Sequence, residues 1–295
     1  MSKSNWYRIA FRSMQVASTS VFAGRAYQHI HWDAPFRTLL WDEAWMSPIV
    51  QGVFGTPWQD YITSIAVDDA INATIIGFGW FYALCAVAVW LLPAYPRLVR
   101  PILVVGTLAL VLLAFLYMKE QFYRYGQFFE YTLQFGSPAL LLYMYRTGDA
   151  QLKFVRWLSI AIAITFVSHG LYAFGYYPRP GHFVQMCISI LGITEGTAVQ
   201  FLYVAGVLDF LLAVLLFSNR RYLVRAAAIY AALWGLLTAI ARVWSGFYLS
   251  DVWGSLDQTV YETVYRLPHF IAPALLAWMT YRAWIHARSR FDQPS

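Results

Sequence analysis

Apolar runs long enough to cross a lipid bilayer recur along the whole chain, separated by polar breaks. A helix rises about 1.5 Å per residue, so roughly 20 apolar residues span the hydrocarbon core. The pattern predicts such helices at about 13–30, 74–92, 101–118, 128–145, 154–174, 196–217, 222–243 and 262–284, which makes eight. The first is the least apolar. Its Ala17, Ser18, Ser20, Ala23 and Gly24 suit close packing inside a bundle better than contact with lipid. Most connections are short, but one runs from Asp33 to about Ala73 and holds Trp41, Trp45 and Trp58, a residue type that favours the membrane interface. Two short helices are predicted in it. One covers about 36–53. The other opens at Thr56-Pro57-Trp58-Gln59, with Thr56 as N-cap, Pro57 at the first helical position and Gln59 closing a capping box. A shorter counterpart runs from Tyr176 to Thr194, with Pro178, Pro180 and a helix through Gly192. These short interfacial helices are expected to roof the outer face of the bundle.

The apolar pattern also repeats. Residues 138–144 read Pro-Ala-Leu-Leu-Leu-Tyr-Met and residues 273–279 read Pro-Ala-Leu-Leu-Ala-Trp-Met. Upstream, Leu98-Val99-Arg100 echoes Leu223-Val224-Arg225, and Phe122-Tyr123 echoes Phe247-Tyr248. Each half would hold four spans, an even number, so both halves enter the membrane in the same direction, related by an axis along the membrane normal. The expected fold is an all-α integral membrane protein of eight transmembrane helices. It would be built as two parallel four-helix repeats, 1–148 and 149–295, in one compact body. The break falls near Thr147-Gly148-Asp149.

Composition agrees with this picture. The chain is 60% hydrophobic and 12% charged, against about 25% charged in soluble domains. Most of its Lys and Arg residues, from Lys3, Arg8 and Arg12 through Arg97, Arg100, Arg146, Lys153 and Arg156 to Arg220, Arg221, Arg225, Arg282, Arg288 and Arg290, fall on one side of the predicted spans. Of the acids, only Asp149 and Asp292 join them. By the positive-inside rule that side is cytoplasmic and holds both termini. The expected location is a bacterial-type inner membrane, crossed many times. The net charge of +6 then reflects topology, with lipid as the expected partner and no nucleic acid. No secretory signal is expected, because no compact apolar segment with a small-residue cleavage site follows the basic N-terminus. Cys85 and Cys187 sit in apolar contexts without a Cys-x-x-Cys pair, which fits packing better than thiol chemistry.

Ionisable groups at membrane depth are costly, and by default suggest function. Candidates for an outer polar cavity are Arg25, His29, Gln127, Glu130, Gln134, His169, Glu195, Arg242, Glu262, Arg266 and His269. Gln127, Glu130 and Gln134 are three and four apart, as are Glu262, Arg266 and His269, so each set shares one helix face. Between the repeats, Gln127 corresponds to Glu262, Gln134 to His269, Arg25 to His169 and Asp209 to Tyr82. Pro268 should kink the last helix and free a backbone carbonyl beside His269. A structural reading competes for each residue: Glu262 with Arg266, or Arg242 with Glu130, would serve as an ion pair, and buried polar groups also hold transmembrane helices together. His169 and His269 lie on different helices, but no second His pair supports haem, and no metal site is expected. The role of Asp209, deep in the sixth span, stays open between proton handling and a hydrogen bond to a neighbour.

The four-span unit with a polar loop after its first helix resembles the DoxX/DoxD-like superfamily of small membrane proteins. The resemblance rests on the echoed fourth helices, Pro138 to Met144 and Pro273 to Met279, and on the second-helix stretches Tyr82 to Leu92 and Asp209 to Phe217. It implies a four-helix-bundle unit, and a membrane subunit of a quinone-linked sulfur or thiol oxidation system, or a cargo-binding membrane protein. The chain lacks the cysteine pair that thiol chemistry of its own would require. The functional expectation is an outer, periplasmic cavity that binds a small amphipathic molecule, a quinone or a lipid, in a quinone-linked redox subunit. Two alternatives stand beside it: a structural or assembly subunit among other membrane subunits, and a small-solute transporter. The residues leave open whether the protein is catalytic.

Overall fold

Fourteen α-helices and no strand make up the described residues of the computed structural model, 5–148 and 151–291. Lys3, Asp149 and Asp292, which enter the charge argument, lie outside them, as do the side chains of Arg282, Arg288 and Arg290. In chain order the helices are α1 (Asn5–His31), α2 (Arg37–Leu40), α3 (Glu43–Phe54), α4 (Trp58–Ile62), α5 (Ile65–Leu91), α6 (Pro96–Glu120), α7 (Tyr125–Glu130), α8 (Thr132–Thr147), α9 (Gln151–Phe174), α10 (Gly181–Leu191), α11 (Glu195–Leu215), α12 (Arg221–Ser245), α13 (Val252–Arg266) and α14 (Pro268–Phe291).

Five of these, α5, α6, α9, α11 and α12, are long and apolar enough to cross a membrane. Their outward faces carry exposed apolar residues at helical spacing: Trp80, Leu84, Val87 and Leu91 on α5, Val207, Leu211 and Val214 on α11, Ile229 and Leu233 on α12. Such stripes are unfavourable in water and favourable against acyl chains, so these faces meet lipid. The other three expected spans fall on α1 and on two interrupted helices. α1 is long but turns inward, burying Gln15, Ser18, Arg25, Gln28 and His29.

The expected continuous helices at 128–145 and 262–284 are each broken. In the second, Pro268 has no N–H and opens a new helix. In the first no proline is involved. Tyr131 leaves the helical region at φ −83°, ψ 3°, and its N–H bonds Phe128 O in a tighter turn. Both breaks come shortly before the Pro-Ala-Leu-Leu echo.

Packing follows a regular scheme. α1 lies along α5, and α9 along α11; α6 packs on α7 and α8, and α12 on α13 and α14. α1 also reaches α13 and α14, while α9 reaches α7 and α8. The main apolar core crosses the whole chain, joining Met14 and Phe22 to Leu133 and Leu141, to Phe154, Leu158 and Phe166, and to Leu276.

The long loop differs from expectation in detail. The helix read over 36–53 is split at Asp42, whose carboxylate accepts from Trp45 N at 3.1 Å and starts α3. The same carboxylate pairs with Lys119 at the end of α6. That contact and the helix amides hold Asp42 below the usual carboxylate range. Thr56 does not cap α4. Pro57 occupies the capping position with extended backbone, and Thr56 Oγ1 instead donates to Phe54 O. Arg37 anchors α2 to α5 through Asp68 (2.8 Å) and Asn72 (2.5 Å).

Candidate functional site

The two helix breaks face each other, and the polar side chains gather around them. Glu130 ends α7 and Arg266 ends α13. Arg266 Nη1 and Nη2 both donate to Glu130 Oε1 at 3.2 Å, and both residues are buried. His169 of α9 brings Nε2 to 3.4 Å from the same oxygen. His269, on the first turn of α14, stands beside His169 with ring centroids 5.4 Å apart. The carbonyl that Pro268 cannot serve, Val264 O, accepts from Leu267 N at 3.2 Å instead, and at the break His269 Nδ1 lies 3.0 Å from Arg266 O. That bond fixes the ring and directs Nε2 elsewhere. Close approach of α12 makes the geometry tight: a Cβ on Gly235 would lie 2.2 Å from His269 O.

Arg242 of α12 donates from Nη1 to Glu262 Oε2 at 2.8 Å. The ion pairs therefore differ from the ones the sequence suggests. Glu262 does not pair with Arg266 four residues on, nor Arg242 with Glu130; each arginine bonds the other's expected partner. Both residues lie on α13, and packing decides between partners: Arg266 meets Glu130 of α7, while Glu262 meets Arg242 of α12. Thr263 Oγ1 ties the same two helices by donating to Ala239 O at 2.7 Å.

A second cluster forms around Arg25, which is fully buried. Its Nη2 donates to Gln134 Oε1 at 2.7 Å and its Nη1 to Gln28 Oε1 at 2.6 Å. The guanidinium lies over Tyr265 at 3.8 Å from the ring centroid, with Tyr131 at 5.0 Å and Tyr117 at 5.4 Å. These partners are neutral, so the cation is held by amide oxygens and aromatic faces. Because Tyr131 breaks the helix, Gln134 joins Arg25 while Glu130 joins Arg266. The single stripe expected on helix 4 is thus divided between two clusters.

The remaining candidates lie apart. His29 sits between α1 and α5, against Phe36 and Tyr82, with Nδ1 2.7 Å from Arg25 O. Gln127 is half-buried on α7. Glu195 is exposed in the first turn of α11, where its charge suits the helix N-terminus. Among the described residues no group of three or more His, Cys, Asp or Glu side chains is placed to hold a metal ion.

A cavity of about 340 Å³ opens beside the Glu130–Arg266 cluster, between α9, α10, α11, α12 and the end of α13. Its size is within the ordinary range for small-molecule sites, about 300–1,000 Å³. His169, Arg242 and Arg266 form its polar end. Phe183, Met186, Cys187 and Ile190 of α10 cover it, and Phe201, Leu202, Ala205, Trp234 and Leu237 wall it. Asp209 lies deeper in the same cavity. Several buried polar atoms here have no protein partner: Arg242 Nε, Arg266 Nε, Asp209 Oδ1 and His269 Nε2. Sequence reading missed the covering role of α10 and the tyrosines around Arg25. A Pro-flanked apolar helix ending at a left-handed glycine, Gly192 at φ 64°, was the signal available for the first.

No curated protein and no solved structure matches the chain. The DoxX-like family model matches residues 163–260, which include every residue lining the cavity except Arg266. The stretch from within α9 to within α13 is thus similar to the DoxX-like family, in a protein whose apolar helices are those of a membrane protein.

Proposed function

We propose that the chain is an eight-span membrane protein of two parallel four-helix repeats, 1–148 and 149–295, folded as one body. Its cavity in the second repeat binds a small amphipathic molecule with an acidic or carbonyl head. The matching helix partners in the two halves support the repeat, as does the break shared by both fourth helices. The distribution of basic residues favours cytoplasmic termini in an inner membrane, with the cavity's polar end toward the outer face.

One observation carries the binding reading. Two arginines, Arg266 buried and Arg242 partly so, each with a buried Nε–H that no protein atom accepts, stand at one end of a chamber whose other walls are mostly apolar. A buried donor without a partner is costly, and a ligand oxygen would supply one. The first repeat argues the same way by contrast. There Phe36 from the long loop packs with Ile71, Ile75, Leu113 and Leu116, and fully buried Tyr82 stands where the second repeat has Asp209, so the corresponding space is filled.

Quinones fit the polar end. A bound quinone would supply two-electron, two-proton chemistry. Arg242 and Arg266 would donate to a carbonyl oxygen, and His169 beside Glu130 would hold a proton at Nε2. Electrons would then come from other membrane subunits. Titrating the purified protein in detergent with stearate and with a short-tailed benzoquinone tests the reading. Arg242→Leu should bind either probe at least tenfold more weakly, the equivalent of about 1.4 kcal/mol for one charge-assisted contact. An affinity unchanged in this variant would remove Arg242 from the site and sink the proposal.

A further inference from the structure

We propose that Asp209 is a second polar anchor in this cavity and that the ligand carries a hydroxyl partway along its apolar tail. The proposal rests on the reading of the cavity as a ligand site and narrows the ligand's chemistry. Asp209 lies on α11, is 1% exposed, and lines the cavity together with Leu202, Ala205, Trp234 and Leu237. Its Oδ1 has no hydrogen-bond partner. A carboxyl that merely held helices together would have one. Tyr230 of α12 is the ionisable neighbour close enough to feel its charge, yet the two share no hydrogen bond.

A carboxyl oxygen accepts a hydrogen bond, and when protonated it also donates one, so a hydroxyl, which does both, completes it in either state. Among donors, a hydroxyl suits this depth better than an ammonium, whose charge is expensive inside the hydrocarbon region. Position follows from α12. Twelve residues separate Tyr230, beside Asp209, from Arg242 at the polar end, which is about 18 Å of helix. The face between them is mostly apolar, with Trp234, Leu237, Thr238 and Ala241 lining the cavity. An extended alkyl chain covers that length in more than half the carbons of stearate, so a ligand whose head meets Arg242 and Arg266 presents the far half of a long chain to Asp209. The class this describes is a hydroxylated long-chain acid or its carbonyl equivalent.

The test compares stearate with hydroxystearate bearing its hydroxyl in the far half of the chain, both titrated into the full-length protein in detergent. Wild type should bind the hydroxylated acid at least tenfold more tightly. Asp209→Leu should bind both acids equally, with stearate no weaker than in wild type, and Asp209→Asn, which keeps an acceptor oxygen, should retain the preference. Equal binding of the two acids by wild type, or a preference that survives in Asp209→Leu, overturns the second anchor while leaving the cavity as a lipid site. If neither acid binds wild type, the cavity reading fails and this proposal fails with it.

Discussion

Replacing Glu130 with alanine lowers the unfolding free energy by roughly 3–5 kcal/mol, the scale for breaking one side of a buried ion pair. Glu130 is 6% exposed and accepts both Nη donors of Arg266, itself 8% exposed. Without the carboxylate, the guanidinium would stay in a low-dielectric site with no acid bonded to it. The pair also joins the two halves of the chain at the points where α7 and α13 stop, so the loss is felt by both broken helices. Chemical unfolding in detergent, followed by circular dichroism, gives the number. The double variant Glu130→Leu with Arg266→Leu should recover most of the loss, because it removes the uncompensated charge and fills the space with apolar atoms. A loss below about 1 kcal/mol for Glu130→Ala, the scale of a solvent-exposed pair, would mean that the pair is not buried as described.

Gly235→Ala should cost about 1–3 kcal/mol or more, by overpacking a contact that cannot relax. The added Cβ would stand 2.2 Å from His269 O and 2.7 Å from its carbonyl carbon. Both are backbone atoms of α14, so relief requires α12 to move away from the break. Gly77→Ala is the control: it lies on α5 with nothing within 4 Å of the added Cβ, and helix propensity alone favours alanine there by up to about 1 kcal/mol. Melting temperatures of the two variants should therefore move in opposite directions. Equal shifts would argue against close approach of α12 and α14.

Much of this architecture is written in the chain, and the parts that are not have physical reasons. Apolar runs mark the spans because the bilayer punishes exposed polar backbone. The buried polar residues are visible because charge is rare among apolar neighbours, so Arg25, Glu130, Arg266 and His269 all stand out. Their partners do not, since Arg25 with Gln134 and Glu130 with Arg266 are separated by more than 100 residues and meet only through packing. Local spacing favours Glu262 with Arg266, and acids and bases on neighbouring helices, Arg242 of α12 and Glu130 of α7, take their place. Pro268 announces its break, whereas nothing in the residues around Tyr131 announces the other. The loop helix α10 reads simply as an interfacial helix, and only the fold lays it over the space between α9, α11 and α12.

That covered space is the centre of the functional account, and a substitution that fills it is the most direct test. Ala205 lines the cavity at 5% exposure, away from the arginines and from every ion pair described. Stearate affinity of Ala205→Trp, measured by titration calorimetry in detergent and compared with wild type, should fall below detection while the variant keeps a cooperative melt. Wild-type affinity in a folded Ala205→Trp would place the ligand elsewhere and contradict the account.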